Sequence, residues 1–243
     1  MKVNTNSNVY IVIYSVVMVV IVAVLLSLAA LGLKPYQDEN ILNEKKTQIV
    51  KALGYDSATT SYDEVVAEAA LIDAEGATVN NDVAKVFEAL QDVKTSRAEG
   101  KFPIFKAKDG SVVVPLYGAG LWGPIWGYIA LASDMNTVKG IVLDHSGETP
   151  GLGAEITTPK HQAMYVGKTV FEGEELVGIT LKKGGAAEGA AHEVDAISGG
   201  TKTSDGVSAM IKDCLVSYVP YFVATKATAE QKSNELNTEN NEQ

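Results

Sequence analysis

Residues 9–33, VYIVIYSVVMVVIVAVLLSLAALGL, form an uncharged apolar run near the amino terminus. At about 1.5 Å of rise per residue, a helix of this length spans the ~30 Å hydrocarbon core of a bilayer. Tyr10 and Tyr14 sit near one end of the run, where aromatic rings favour the membrane interface. Lys34-Pro35 follows the other end and predicts a charged helix stop there. The competing reading is a cleaved signal peptide, with Ser27 and Ala29 as small residues near a cleavage site. The run exceeds the usual h-region of about 7–15 residues, which favours an uncleaved single-pass anchor in a lipid bilayer. Lys2 precedes the span and Lys34, Lys45 and Lys46 follow it, so charge bias gives no orientation.

No second run of comparable length follows, so residues 34–243 are expected to form a soluble part of ordinary domain size. Lys2 is the one charged residue before position 34, and all 30 acidic residues lie after it, within a net charge of −10. Such acidity argues against a nucleic-acid partner, which requires a basic face against phosphates. A single cysteine, Cys214, excludes an intramolecular disulfide and a thiolate-held iron–sulfur cluster on this chain alone.

Apolar spacing predicts helices over residues 39–56, 61–74 and 81–94. Short β-branched or aromatic runs bounded by Gly, Pro, Asp or Asn predict strands at 102–107, 112–117, 127–132 and 138–144. A helix at 159–166 and a strand at 176–182 follow. A last helix is expected at 204–219, with Ser204 as its N-cap and Val207, Met210, Ile211, Cys214 and Tyr218 on one face. Residues 223–243 read as a polar tail too poor in apolar residues to be ordered by burial. Helices and strands without regular alternation indicate an α+β fold. The expected organisation is a flank at 1–8, the span at 9–33, a helical part at 34–100, an α+β core at 101–222 and the tail at 223–243.

Several familiar signals fail. Gly118-Ala-Gly120-Leu-Trp-Gly123 fits G-x-G-x-x-G, but Pro124 and a strand follow where a dinucleotide site needs a helix, so a bend is the better reading. Residues 184–193 are glycine-rich but lack the G-K-[ST] ending of a P-loop, and read as a turn. His145, His161 and His192 form no metal-ligand spacing and read as surface or supporting residues. Cys214 falls on an apolar helix face and reads as a buried inert thiol. There is no G-x-S-x-G elbow for hydrolysis.

Two segments carry more. Asp144-His145-Ser146-Gly147-Glu148-Thr149-Pro150-Gly151-Leu152-Gly153 is a tight loop after a predicted strand, able to expose main-chain N–H groups to a flat ligand. Asp195-Ala-Ile-Ser198-Gly199-Gly200-Thr201-Lys202-Thr203-Ser204 precedes the last helix. Its small residues expose the Thr201 hydroxyl beside a helix N-terminus suited to a phosphate. Composition alone also allows a connecting loop and an elaborate helix cap.

Taken with Tyr117-Gly-Ala-Gly-Leu-Trp-Gly-Pro-Ile-Trp-Gly-Tyr-Ile-Ala-Leu131, the GETPGLG loop and D-x-x-S-G-G-T resemble the C-type subunit of the sodium-translocating NADH:quinone oxidoreductase. The resemblance covers most of residues 1–220. The loop and threonine motif are shared with the wider FMN-binding domain family, including the G-type subunit of the related Rnf complex. The resemblance implies a single transmembrane helix followed by one soluble FMN-binding domain of α+β class. It implies FMN held by a flavin transferase's phosphoester on the last residue of D-x-x-[ST]-G-A-T, here Thr201. Asp195, Ser198 and Gly199 match that motif, and Gly200 replaces its alanine. Thr203 remains a second acceptor candidate. His145, Glu148, Thr149, Gly151 and Leu152 are implied as flavin-contacting residues, with Trp122 and Trp126 lining or flanking the ring.

The function so implied is that of an electron-transfer subunit in a redox-driven Na+ pump. The soluble domain is then periplasmic on a bacterial inner membrane, beside other subunits and especially a flavin-bearing membrane subunit. The complex is the enzyme, NADH is oxidised on another subunit, and the isolated chain has no catalysis of its own. Two alternatives stay open: the G-type subunit of an Rnf-like ferredoxin:NAD oxidoreductase, and a non-redox membrane-tethered adaptor.

Overall fold

The computed structural model describes residues 7–228, and these separate into two compact units, divided between Lys45 and Lys46. The first unit is carried by helix α1, Asn8–Ala52, whose apolar stretch is long enough to cross a membrane and has its side chains exposed. The helix runs through Pro35, where the sequence predicts a stop. An internal proline costs one backbone hydrogen bond and a local clash, about 3 kcal/mol. Here the long apolar run before it and the buried Ile49, Val50 and Ala52 after it keep both sides helical.

Residues 61–74 are not a helix. One turn, α2 (Tyr62–Val65), leads into strand β1 (Val66–Ile72). Alanine and glutamate favour helix locally, but β1 pairs antiparallel along β3 (Phe102–Ala107), Ala69 opposite Phe105 and Ile72 opposite Phe102. Burial of Ala69–Ile72 in that pairing overrides propensity. Strand β2 (Thr78–Asn80) returns along the end of β1. The helix expected at 81–94 is two short ones, α3 (Val83–Ala89) and α4 (Val93–Ala98). Asp82 accepts from the Ala84 N–H at 2.9 Å, and Asp92 restarts the chain by accepting from the Thr95 N–H at 3.0 Å.

The predicted strands between 102 and 144 all form, as β3, β4 (Val112–Ala119), β5 (Pro124–Leu131) and β6 (Val138–His145). With β1 and β2 they make one antiparallel six-stranded sheet of order β2-β1-β3-β4-β5-β6. Both faces are covered. Ile104, Val114, Leu116 and Ile129 join the main core, while Phe105 packs edge-on with Tyr62 and tilted against Phe87 on the other side.

After β6 come a 3-10 turn (Gly153–Thr157) and α5 (Pro159–Ala163). Two small pairs follow: β7 (Phe171–Glu172) with β8 (Glu175–Leu176), and β9 (Thr180–Lys182) parallel with β10 (Glu193–Asp195). The strand expected at 176–182 is thus split around Gly178, which lies at φ 73°.

Helix α6, Thr201–Leu215, packs on the sheet at β4. A side chain at Gly118 would meet Met210 Cβ at 2.7 Å, and one at Gly206 would strike the Ala119 carbonyl. The backbones therefore meet closely at these two glycines. Cys214, fully buried as expected, receives the Tyr117 N–H at 3.3 Å. At the far end of α6, Arg97 donates to the Asp213 carbonyl at 2.6 Å, a cation on the negative end of the helix. Helical structure continues to residue 228, beyond the predicted start of the tail, because Phe222 is buried with Tyr218 and Phe171. Residues 1–6 and 229–243, which hold most of the expected flank and tail, lie outside the described residues.

Candidate functional site

Three separate segments converge where α6 begins. The β4–β5 hairpin turns through Gly120–Gly123, within the bend that the glycine pattern predicts, closed by the Gly120 N–H on the Gly123 carbonyl at 2.8 Å. The loop after β6 supplies His145–Gly153. The Ile197–Gly200 turn supplies the third wall, with Gly199 at φ 74° and the Gly200 N–H on the Ile197 carbonyl at 3.0 Å.

The helix starts at Thr201, not at Ser204. Ser204 lies in its first turn, and its hydroxyl accepts from the Ile197 N–H at 3.1 Å, tying down the preceding turn. The first intrahelical bond is from the Ser204 N–H to the Gly200 carbonyl, so the N–H groups of Thr201, Lys202 and Thr203 have no partner within the helix. No side chain caps this end. It is an anion-binding arrangement.

Glu148 binds the three segments together. Its side chain is 5% exposed. One carboxylate oxygen accepts from the Trp122 N–H at 2.9 Å and the other from the Thr203 hydroxyl at 2.5 Å. Its own N–H donates to His145 Nδ1 at 3.1 Å. Space for this carboxylate is made by glycines: a side chain at Gly120 or at Gly153 would collide with it. Burial pushes the Glu148 carboxyl upward, but the Thr203 hydroxyl and the N–H groups of Trp122 and Leu121 outweigh it and hold the group below its ordinary value. Glu148 is therefore an ionised carboxylate inside the fold.

A cavity of about 310 Å³ opens between these segments, lined by Leu121, Trp122, Glu148, Thr149, Leu152 and, from the threonine motif, Gly199–Thr203. That size is at the small end for a cofactor site. Its rim is apolar: Trp122 is 69% exposed, and Leu121 and Leu152 are also exposed. Leu152 closes against Gly199, where a side chain would come within 2.6 Å of it. A larger groove of about 600 Å³ lies between β1, β2, α3 and α4, but its lining of dispersed Lys, Glu, Asp and Thr residues offers no converging chemistry. Among the described residues, no His, Cys, Asp and Glu group could hold a metal ion.

Of the residues predicted for the site, Trp122, Glu148, Thr149, Leu152, Gly199, Gly200 and Thr201 line the cavity. His145 supports it from behind through Glu148. Gly151, at φ 74°, shapes the loop, and Ser198 is exposed in the turn. Asp195 faces elsewhere, accepting from the Ala186 N–H at 2.8 Å, and Trp126 sits half-buried on β5, outside the lining. Leu121 and Lys202 line the cavity without having been predicted as contacts, beside Gly153 from the predicted loop and Thr203, the second acceptor candidate. Nor is every histidine on the surface: His161 is buried, with its Nε2 3.0 Å from the Tyr165 hydroxyl.

The departure at Gly200 has a local explanation. A methyl there would come within 2.9 Å of Ile197 Cγ2 and 3.3 Å of the Gly153 N. Ile197 already occupies the space that an alanine at 200 would need.

The arrangement suits a phosphorylated planar ligand. The helix N–H groups and the exposed Thr201 hydroxyl are placed where a phosphate could be received, and the apolar rim where an aromatic ring could lodge. Comparison with known proteins agrees. Residues 120–216 match the FMN-binding domain family. The chain is 34% identical over 240 residues to the C-type subunit of the Na(+)-translocating NADH-quinone reductase of Haemophilus ducreyi, covering 88% of this chain and 93% of that one. The corresponding Vibrio vulnificus protein is 33% identical over 208 residues, covering 76% and 82%. Among solved structures, the C-type subunit from Parabacteroides distasonis superposes with a TM-score of 0.70 at 38% identity, covering 78% of this chain and 96% of that one.

Proposed function

The chain belongs to the C-type subunit family of the Na(+)-translocating NADH-quinone reductase, and from that premise we propose that it carries FMN covalently on Thr201 and relays electrons within such a complex. The isoalloxazine supplies the redox chemistry, and this chain supplies its position and electrostatic surroundings.

One observation carries the attachment. Thr201 is exposed at the first position of α6 and faces the cavity, whereas Thr203 is 1% exposed with its hydroxyl committed to Glu148. A phosphoester on Thr201 Oγ1 puts the phosphate against the N–H groups of Thr201–Thr203, where an anion is stabilised. Lys202, exposed beside it and 4.0 Å from Asp205, adds a positive charge. Leu121, Trp122 and Leu152 offer the ring an apolar lodging, with Thr149 and Gly199 beside it. His145, Gly151, Ser198 and Asp195 shape the two loops.

The relatives are named as subunits of a Na+-translocating NADH-quinone reductase. In the assembly proposed here, α1 anchors the chain in the inner membrane and the flavin domain stands on the periplasmic side. It passes electrons to a flavin-bearing membrane subunit, while NADH is oxidised on another subunit and Na+ moves through the complex. A flavin transferase installs the FMN.

Intact mass of the protein from its own host tests this reading. The expected result is one FMN phosphoester adduct that survives denaturation and is absent from Thr201→Ala. Flavin retained by that variant overturns the attachment site. Native protein without covalent flavin favours the adaptor reading, and copurification of Rnf-type subunits favours the ferredoxin:NAD alternative.

A further inference from the structure

We propose that Glu148 is the fixed negative charge that holds down the reduction potential of the flavin, an inference that rests on FMN occupying the cavity beside Thr201. The fold spends an unusual amount of its local architecture on this one carboxylate. Gly120 and Gly153 lack side chains where any side chain would strike it, and both its oxygens are engaged. Yet the groups that hydrogen-bond it, the Thr203 hydroxyl and the N–H groups of Trp122 and Leu121, are neutral, the charge of His145 is the weakest influence on it, and none of the ion pairs among the described residues includes Glu148. The charge is dispersed by hydrogen bonding without being cancelled.

A buried anion tied only for stability would be expensive, since an isosteric neutral group avoids its desolvation. Its position gives it another use. Glu148 lines the cavity together with Trp122, Leu152 and Thr201. When a reductant passes an electron to a ring lodged there, negative charge grows on the ring, and a neighbouring carboxylate opposes that growth, the more so as the ring displaces water from the cavity. Glu148 itself gains and loses nothing in the step: it stays ionised and exchanges no proton. The oxidised flavin feels little of this charge, so the difference appears as a lower potential.

The Thr203 hydroxyl then acts with opposite sign. By donating to the Glu148 carboxylate it spreads part of the charge. Removing it without changing side-chain shape leaves the carboxylate a stronger anion towards the ring.

The test is spectroelectrochemical titration of the full-length, detergent-solubilised protein at pH 8, made together with a flavin transferase. Glu148→Gln keeps the size and removes the charge. It should favour reduction at least tenfold, equivalent to about 59 mV more positive for a one-electron step. Thr203→Val should move the potential in the negative direction. A merely structural role for Glu148 would loosen the cavity in both variants and shift both potentials the same way. Equal potentials in the parent and in flavin-loaded Glu148→Gln overturn the proposal. If Glu148→Gln takes up no flavin, Thr203→Val decides alone, and a potential unchanged or more positive overturns it. A parent protein with no flavin on Thr201 overturns the attachment and this proposal together, whereas loaded proteins of equal potential overturn this proposal only.

Discussion

The Thr203 hydroxyl donates to the Glu148 carboxylate at 2.5 Å, with both side chains buried. The bond joins the loop after β6 to the first turn of α6, and in doing so it separates two threonines that stand two positions apart. Thr203 faces inward to the carboxylate, and Thr201 faces outward to the cavity.

Thr203→Val should lower stability by about 1–3 kcal/mol at pH 7, as expected when a charged acceptor loses a buried donor. Glu148 has its folded pKa held below the ordinary carboxylate value. Its contribution is therefore fully present above the unfolded pKa and is lost as pH falls through the folded one. Urea denaturation of parent and variant should differ at neutral pH and converge once the pH has fallen through the lowered folded value of Glu148. A gap that stays constant down to pH 3 would assign the loss to packing instead.

Gly153→Ala should disable the site without replacing any side chain that lines the cavity. The added methyl would collide with both the Glu148 carboxylate and the Thr203 hydroxyl, two groups that cannot yield separately. Overpacking of this kind costs about 1–3 kcal/mol. Thermal unfolding should show the loss, and in-gel flavin fluorescence should show reduced loading on Thr201. By contrast, Gly167→Ala, at a glycine whose side-chain direction is open, should strain the backbone but leave loading unchanged.

Gly200→Ala would restore the residue usual in the family motif, and it should nevertheless slow flavin attachment here. The methyl has to displace Ile197, whose Cγ2 lies 2.9 Å from its place. The double variant Ile197→Ala, Gly200→Ala should recover loading, measured as adduct formed per minute by mass spectrometry. Faster loading in the single variant would show that Ile197 yields freely.

Much of this was legible in the chain. The strands from 102 to 145 fall within a few residues of their β-branched runs, because Gly, Pro and Asp mark their ends. Strand β1 was not, since VAEAALI has local helix propensity and becomes a strand only through β3, more than thirty positions away. The two motifs of the site were visible separately, but their meeting depends on how α6 crosses β4 at Gly118 and Gly206. The contact between Thr203 and Glu148 depends on the same crossing. Placing the helix start at Ser204 hides the three N–H groups at 201–203 and the inward direction of Thr203, which follow from a helix that begins at Thr201.

The buried histidine gives a last expectation. His161 is buried on α5, directly after the 3-10 turn that begins at Gly153, and its ring lies against the Tyr165 hydroxyl. Burial drives its pKa down to about 4, with the negative charge of Asp195 opposing the shift only in part. Between about pH 4 and the ordinary histidine value near 6.5, the unfolded chain holds a proton that the folded chain refuses. Stability must therefore fall as pH drops through that window, and it is fully recovered above it. The total is roughly 3 kcal/mol at about 1.4 kcal/mol per unit. Replacing the imidazole by a group that cannot titrate, as in His161→Gln, should flatten the slope between pH 4 and 6.5 while leaving the more acidic loss through Glu148 in place. Urea midpoints measured across that range in the two proteins decide it, and parallel curves would mean that His161 takes up its proton without cost to the fold.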